Sequence, residues 1–253
     1  MVREGVGILT LEDGSFYVGQ FVGNQMTGLG RMQQTNGNVY QGQWQDGKAN
    51  GHGVFEDTQQ NATYEGDWVD DLQHGRGREV INGGQAVYEG DYFQGKKTGK
   101  GRMEEANGSY YEGDWLDNEY QGYGKSLFFS WRGTNTTNLT IIFCFILSTG
   151  VQYFAESEKT YEGEFENNLF QGKGKLTFKD QHYYEGDFVA GKKQGQGTYQ
   201  YANGNKYIGA WKDDQQHGVA IFYNAKDGSK KQGEWKQGKR TAWLGKWSLA
   251  LSL

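Results

Sequence analysis

Proline is absent from this chain of 253 residues, and cysteine occurs once, at Cys144. A lone cysteine excludes an internal disulfide and fits a reducing compartment. Histidine is scarce: His52, His74, His182 and His217 are scattered, with no cysteine or carboxylate cluster at ligand spacing, so no metal site is expected. No Ser/His/Asp or Cys/His arrangement is present, and no Walker-type glycine-lysine loop, so neither a catalytic centre nor a cofactor or small-molecule substrate is expected. No run reaches the ~20 apolar residues of a membrane-spanning helix. No basic-then-apolar leader opens the chain, and Val2 stands where N-myristoylation needs glycine, so the expectation is a cytoplasmic protein.

Hydrophobic residues make up only 35% of the chain while aromatics reach 15%, so a few large rings must supply most of the buried area. That suits a thin stack of sheet better than a thick core. The net charge of −5 argues against a nucleic-acid binder. It is unevenly spread: residues 226–253 hold seven Lys/Arg against Asp227 and Glu234, a local +5 that leaves −10 for the remainder.

What the chain has in abundance is glycine, 41 residues at fixed phases. The pentapeptide Tyr64-Glu65-Gly66-Asp67-Trp68 recurs in close copies beginning at Tyr17, Tyr40, Tyr88, Tyr111, Tyr161, Tyr184 and Tyr207, spaced 23 or 24 residues apart except for one gap. A Gly-x-Gly follows each until the last, where Ala220 takes the second place. A fixed period of this length marks a repeat array. Gly5-Val6-Gly7 has the same phase, so the chain starts with a half-repeat expected to serve as an edge or cap.

Within one unit Tyr64, Gly66 and Trp68 point to one side of a strand and Glu65 and Asp67 to the other. Turn material follows, then a second strand through the Gly-x-Gly. Asn-Gly at 36–37, 82–83, 107–108 and 203–204 is the favoured dipeptide of a two-residue hairpin turn. Both glycines of each Gly-x-Gly are read as leaving room for a neighbouring ring. The expected fold is all-β, an elongated antiparallel array of β-hairpins. About nine units at two strands each would extend on the order of 80–90 Å. One unit cannot bury its rings alone, so stability comes from neighbours.

These residues resemble the MORN (membrane occupation and recognition nexus) repeat. Tyr88-Glu89-Gly90-Asp91-Tyr92…Gly95…Gly99-Lys100-Gly101 and Tyr184-Glu185-Gly186-Asp187-Phe188…Gly191…Gly195-Gln196-Gly197 carry the likeness, which covers residues 5–240 apart from the gap. The last copies decay, with Ala220 for a glycine and Lys231 where Tyr is expected. The resemblance implies a non-catalytic scaffold in cytoskeletal, ciliary or membrane-apposed assemblies.

The expected organisation is repeats over 1–125, an atypical insertion over 126–160, repeats over 161–238 and a distinct end at 239–253. The insertion carries the apolar run Leu139–Leu147 and is read three ways: an extra hairpin or loop, a membrane or partner contact, or translated intron. The regular resumption at Tyr161 favours the last. At the end, Trp243, Leu244, Trp247, Ala250 and Leu251 fall on one helical face, read as a short capping helix, with an interfacial membrane anchor as the alternative.

The acidic columns Glu65/Asp67, Glu89/Asp91, Glu112/Asp114, Glu162/Glu164 and Glu185/Asp187 are read as a solvated face paired to Arg78, Arg102, Lys125 and Lys175, because a repeated feature is a poor unique active site. Two binding surfaces are then expected. The aromatic face, through Tyr40, Trp44, Tyr64, Trp68, Tyr88, Tyr111, Trp115, Tyr161, Tyr184, Tyr207 and Trp211, would take a protein partner. Alternatively Lys96, Lys97, Lys192, Lys193, Lys230, Lys231, Lys236, Lys239 and Arg240 would hold anionic lipid, phosphoinositides included.

Overall fold

Alternation of rings with other side chains, carboxylates in most of the pentapeptides, gives strands with two distinct faces. The computed structural model describes residues 2–128, 142–147, 150–154 and 158–246, and every regular element among them is a β-strand. The chain divides into two compact units, Met1–Glu119 and Tyr120–Leu253. In the first, β1 (Gly5–Thr10), β2 (Phe16–Val22), β3 (Gln25–Gln33), β4 (Val39–Gln45), β5 (Lys48–Asp57), β6 (Ala62–Val69), β7 (Leu72–Ile81), β8 (Ala86–Phe93), β9 (Lys96–Glu105) and β10 (Tyr110–Leu116) each pair antiparallel with the next. The short β11 (Glu119–Gln121) lies at the division.

In the second unit β12 (Tyr123–Phe128) pairs with β13 (Ile142–Leu147) as a separate two-stranded ladder. The regular meander then runs through β14 (Gly150–Phe154), β15 (Lys159–Glu166), β16 (Leu169–Thr177), β17 (Tyr183–Val189), β18 (Lys192–Gln200), β19 (Lys206–Lys212), β20 (Gln215–Tyr223), β21 (Lys230–Lys236) and β22 (Lys239–Lys246). The apolar run read from sequence thus begins outside the described residues and ends in β13.

The turns are assigned the other way round from the sequence expectation. The two-residue turns follow the pentapeptides, as at Asp70-Asp71, while the Asn-Gly pairs sit in the longer loops, such as that between β3 and β4. Asp70 and Asp71 both have positive φ, 49° and 67°, which a two-residue turn of the right twist requires and a short Asx side chain tolerates. The second turn residue also ties its hairpin to the one before. Asp71 Oδ1 accepts from the Ala49 amide at 2.7 Å, Asn118 Oδ1 from Lys97 at 2.9 Å and Asp214 Oδ1 from Lys193 at 2.9 Å.

The two glycines of Gly-x-Gly have different roles. Gly66 and Gly77 lie opposite each other, and the Tyr64 ring covers both. Its hydroxyl donates to the Asp67 carbonyl at 3.0 Å. Gly75, by contrast, sits at a register shift with φ +57°, and its bare side faces the Asp67 carboxylate rather than a ring. Asp67 Oδ2 accepts from the Arg76 amide at 3.2 Å, Asp91 Oδ2 from Lys100 at 2.9 Å and Asp187 Oδ2 from Gln196 at 2.8 Å. In these three pairs the second acidic residue therefore caps a β-bulge whose amide the ladder leaves free, beyond the charge pairing expected of it.

The core is a chain of rings. In the first unit Tyr17, Trp44, Tyr40, Trp68, Tyr64, Tyr92, Tyr88, Trp115 and Tyr111 touch in that order, edge to face, with centroids 4.9–5.5 Å apart. In the second the series is Phe165, Tyr161, Phe188, Tyr184, Trp211, Tyr207 and Trp235. Each such contact contributes about 0.5–1.5 kcal/mol beyond area burial. Four tryptophan indoles of this phase also donate backwards: Trp44 to the Gly30 carbonyl, Trp68 to Gly53, Trp115 to Gly101 and Trp211 to Gly197, at 3.0–3.3 Å.

The C-terminal helix expected from the spacing of Trp243 and Leu244 does not form where the chain is described. Residues 239–246 are strand β22, paired to β21, with Trp243 packed edge-on to Trp235 at 6.1 Å. Covering the ring and the open ladder of β21 outweighs local helical periodicity. Residues 247–253 lie outside the described residues.

Candidate functional site

The rings named from sequence as the partner surface are the interior of the sheet's own aromatic layer. Tyr64, Tyr88, Tyr111, Tyr161, Tyr184 and Tyr207 are 0–2% exposed, and Tyr40, Trp44, Trp68, Trp115 and Trp211 are buried. Burial pushes the Tyr40 and Tyr207 hydroxyls up to about 12, with the Asp71 charge adding at Tyr40 and a bond to the His217 carbonyl opposing at Tyr207. Tyr64, Tyr88 and Tyr184 are raised further, again first by burial.

What solvent meets on that side is a second layer, set by the same period of two. Directly opposite the tyrosines in the ladder stand Met32, Phe55, Glu79, Met103, Leu176, Tyr199 and Phe222. All are half-buried. They lie two residues past the second glycine position, a place whose identity varies while the rings below repeat; that variation within a constant frame was the available sequence signal. Opposite the second ring of each unit stand Met26, Ala49, Gln73, Lys97, Phe170, Lys193, Gln216 and Arg240.

The lysines grouped by sequence separate in space. Lys97 and Lys193 face the rings, whereas their neighbours Lys96 and Lys192 face the other side. Lys96 pairs with Asp117 at 3.2 Å and Lys97 with Glu79 at 2.5 Å. At the end of the chain Lys231 and Arg240 lie over the Trp243 ring at 5.6 and 4.2 Å. Lys236 and Lys239, opposite each other, are exposed on the reverse face with Lys230, and among the described residues none of these three has a carboxylate within 4 Å.

On the reverse face, Arg76–Asp91, Lys100–Asp114 and Arg102–Glu112 pair at 3.1, 2.5 and 3.0 Å, and Lys173 pairs with Asp187. Arg78 and Lys175 stand in register with the acidic column but, among the described residues, form no ion pair; Lys175 lies over the Tyr183 ring instead, at 4.6 Å. Lys125's side chain falls outside what is described. No group of three His, Cys, Asp or Glu that could hold a metal occurs among the described residues. No helix there is long and apolar enough to cross a membrane.

Geometry of this kind, hairpins stacked through glycine-seated rings, defines a class of repeat protein built to present a surface. The chain belongs to the MORN repeat family, whose model matches residues 17–39, 40–61, 64–85, 88–110, 111–131, 161–183, 184–206, 207–228 and 232–241. MORN repeats commonly serve as scaffolds for protein or membrane interactions, and the family is typically non-catalytic. No curated protein matches the chain in sequence. Among solved structures, the E1021V mutant of the TCP10 domain of Danio rerio CPAP matches at 11% identity over 82% of this chain and 94% of that one, with a TM-score of 0.23. So loose a superposition carries no inference.

Proposed function

We propose that the protein is a non-catalytic scaffold that holds a protein partner along the aromatic face of its repeats, within a cytoskeletal, ciliary or membrane-apposed assembly of the cytoplasm. The observation that supports this is the second layer: Met32, Phe55, Met103, Leu176, Tyr199 and Phe222 are half-buried, mostly apolar and changing from one unit to the next, over rings that do not vary in place. A fixed frame with a variable surface suits recognition of one particular chain. Affinity purification with mass spectrometry, run on the wild type and on Phe55→Ser/Met103→Ser, tests it. Partners should drop out with the substituted face; a partner set unchanged by it refutes the reading.

A second reading, an anionic-membrane tether with phosphoinositide as ligand, draws on Lys230, Lys236 and Lys239, exposed and lacking counter-charges among the described residues. Basic residues near a bilayer contribute about 1 kcal/mol each. Co-sedimentation with phosphoinositide-containing vesicles at low salt decides it, since that condition exaggerates electrostatic attraction. Absence of binding there removes the tether.

A further inference from the structure

The aromatic faces of the two units differ in how they treat one lysine. In the first unit Lys97 Nζ lies over the Tyr88 and Tyr92 rings and meets Glu79 Oε2 at 2.5 Å; Tyr92 donates its hydroxyl to the same oxygen at 3.1 Å. In the second unit the equivalent lysine is Lys193, opposite Phe188 as Lys97 is opposite Tyr92. The place of Glu79 is taken by Leu176. Lys193 Nζ is held among four rings, 5.5 Å from the centroids of Tyr184 and Trp211, 5.7 Å from Phe178 and 5.9 Å from Tyr199.

A second cation stands beside the first. Lys159 Nζ is 5.4 Å from the Phe178 ring. Its position, two before the tyrosine, holds Ser15, Asn38, Ala62, Ala86, Ser109, His182 and Asn205 in the other units, so a lysine here is a departure from the repeat. Neighbouring carboxylates are committed elsewhere. Asp180 accepts from His182, Glu158 pairs with Lys179, and Asp214 caps the Lys193 amide. Among the described residues no carboxylate lies within 4 Å of either ammonium. Burial holds Lys193 below the usual lysine range, Lys159 pushes it the same way, and Asp214 opposes them.

Rings stabilise a cation partly, but a half-buried ammonium with no carboxylate in contact among the described residues is an incomplete pair. We propose that Lys193 and Lys159 form an anion site that receives an Asp or Glu carboxylate from an acidic segment of the protein partner. The proposal rests on the aromatic-face reading above. Charge complementarity sets the ligand: two cations share the Phe178 ring in the second unit, whereas the first unit supplies its own carboxylate to Lys97. A peptide carboxylate suits the site better than a lipid headgroup. Lys193 lies down among rings instead of projecting from the surface, and Leu176, Tyr199, Tyr201 and Phe222 offer apolar flanks to the rest of a peptide.

The test selects helical peptides from a random display library on the full-length protein. The tightest binder and its Glu→Gln or Asp→Asn version are then titrated calorimetrically. The proteins used are wild type, Lys193→Met, Lys193→Arg, Lys159→Gln and Phe222→Glu, each checked by melting temperature. Neutralising the peptide acid and Lys193→Met should each weaken binding about tenfold or more, as for one side of a partly buried charge pair, and together cost little more than either alone. Lys193→Arg should retain most affinity. Binders indifferent to the peptide acid or to Lys193 overturn the anion site, and if Phe222→Glu still abolishes binding the aromatic-face reading survives. If Phe222→Glu has no effect either, both fail. Vesicles of phosphatidylserine that bind wild type but not Lys193→Met would show a headgroup site and overturn the peptide assignment.

Discussion

Alanine at Gly66 should cost the fold more than alanine at Gly77, although the two glycines face each other under one ring. Neither has a positive φ, so the constraint is spatial. A Cβ at Gly77 would lie 2.4 Å from Tyr64 Cε2 and 2.5 Å from its hydroxyl, both parts of a ring that can tilt. A Cβ at Gly66 would lie 2.5 Å from the Arg76 carbonyl oxygen and 2.6 Å from the Gly77 Cα, which move only if strands β6 and β7 separate. The protein already contains the milder change. Ala220 occupies the second-glycine place, is 4% exposed, and the Tyr207 hydroxyl still reaches the Ala210 carbonyl at 2.7 Å. Overpacking of this kind costs about 1–3 kcal/mol, offset by about 0.4–1 kcal/mol from the stiffer unfolded chain. We therefore expect a net loss of about 1–2 kcal/mol for Gly77→Ala and at least about 3 kcal/mol for Gly66→Ala. Urea unfolding followed by tryptophan emission, with hydrogen exchange to locate the opening, measures both. Equal losses, or a larger one at Gly77, would mean that the ring and not the backbone limits the approach.

Trp68→Ala should lose about 3–5 kcal/mol, and Trp68→Phe about 0.5–1.5 kcal/mol from the bond to the Gly53 carbonyl, both read from the same melts. Lys97→Met should destabilise by about 1–3 kcal/mol because Glu79 is left half-buried. Lys193→Met should be neutral or stabilising, and an equal loss at both would contradict the pairing difference. Alkaline stability has a definite sign. Tyr40 and Tyr207 titrate at about 12 when folded and about 10 when unfolded, so the folded state holds more protons between these values. Their contribution is complete below pH 10 and is lost as pH rises towards 12, so the ring NMR signals of Tyr40 and Tyr207 should shift to phenolate only together with unfolding. A titration of these two rings near pH 10 in the still-folded protein would contradict this. For residues 126–160, a spliced message that still encodes the apolar run removes the intron reading.

The repeat frame was legible because large rings at a fixed period leave few alternatives: Tyr64 and Trp68 on one side and Glu65 on the other follow from alternation alone. The bulge was not, since a shift of register has no composition of its own. Asp67 thus read as a solvated partner of arginine although it caps the Arg76 amide. Burial was also underestimated. Tyr40 and Trp44 looked available because a thin stack of sheet offers little to enclose them, yet Met32, Phe55 and their counterparts close over the row. Adjacent lysines such as Lys96 and Lys97 read as one patch until the strand placed them on opposite faces.

The Glu79–Tyr92–Lys97 cluster limits how freely the units could have been copied or exchanged. Excising residues 64–87 removes one whole period, and the glycine and ring phases would still match at the new junction. Tyr92 and Lys97, however, would meet Phe55 where Glu79 had stood. The Gly53 carbonyl would face a phenol in place of an indole. Removing this unit therefore breaks the Glu79–Tyr92–Lys97 cluster, whereas the corresponding joint of the second unit, with Leu176 in place of Glu79, carries no such charge to lose.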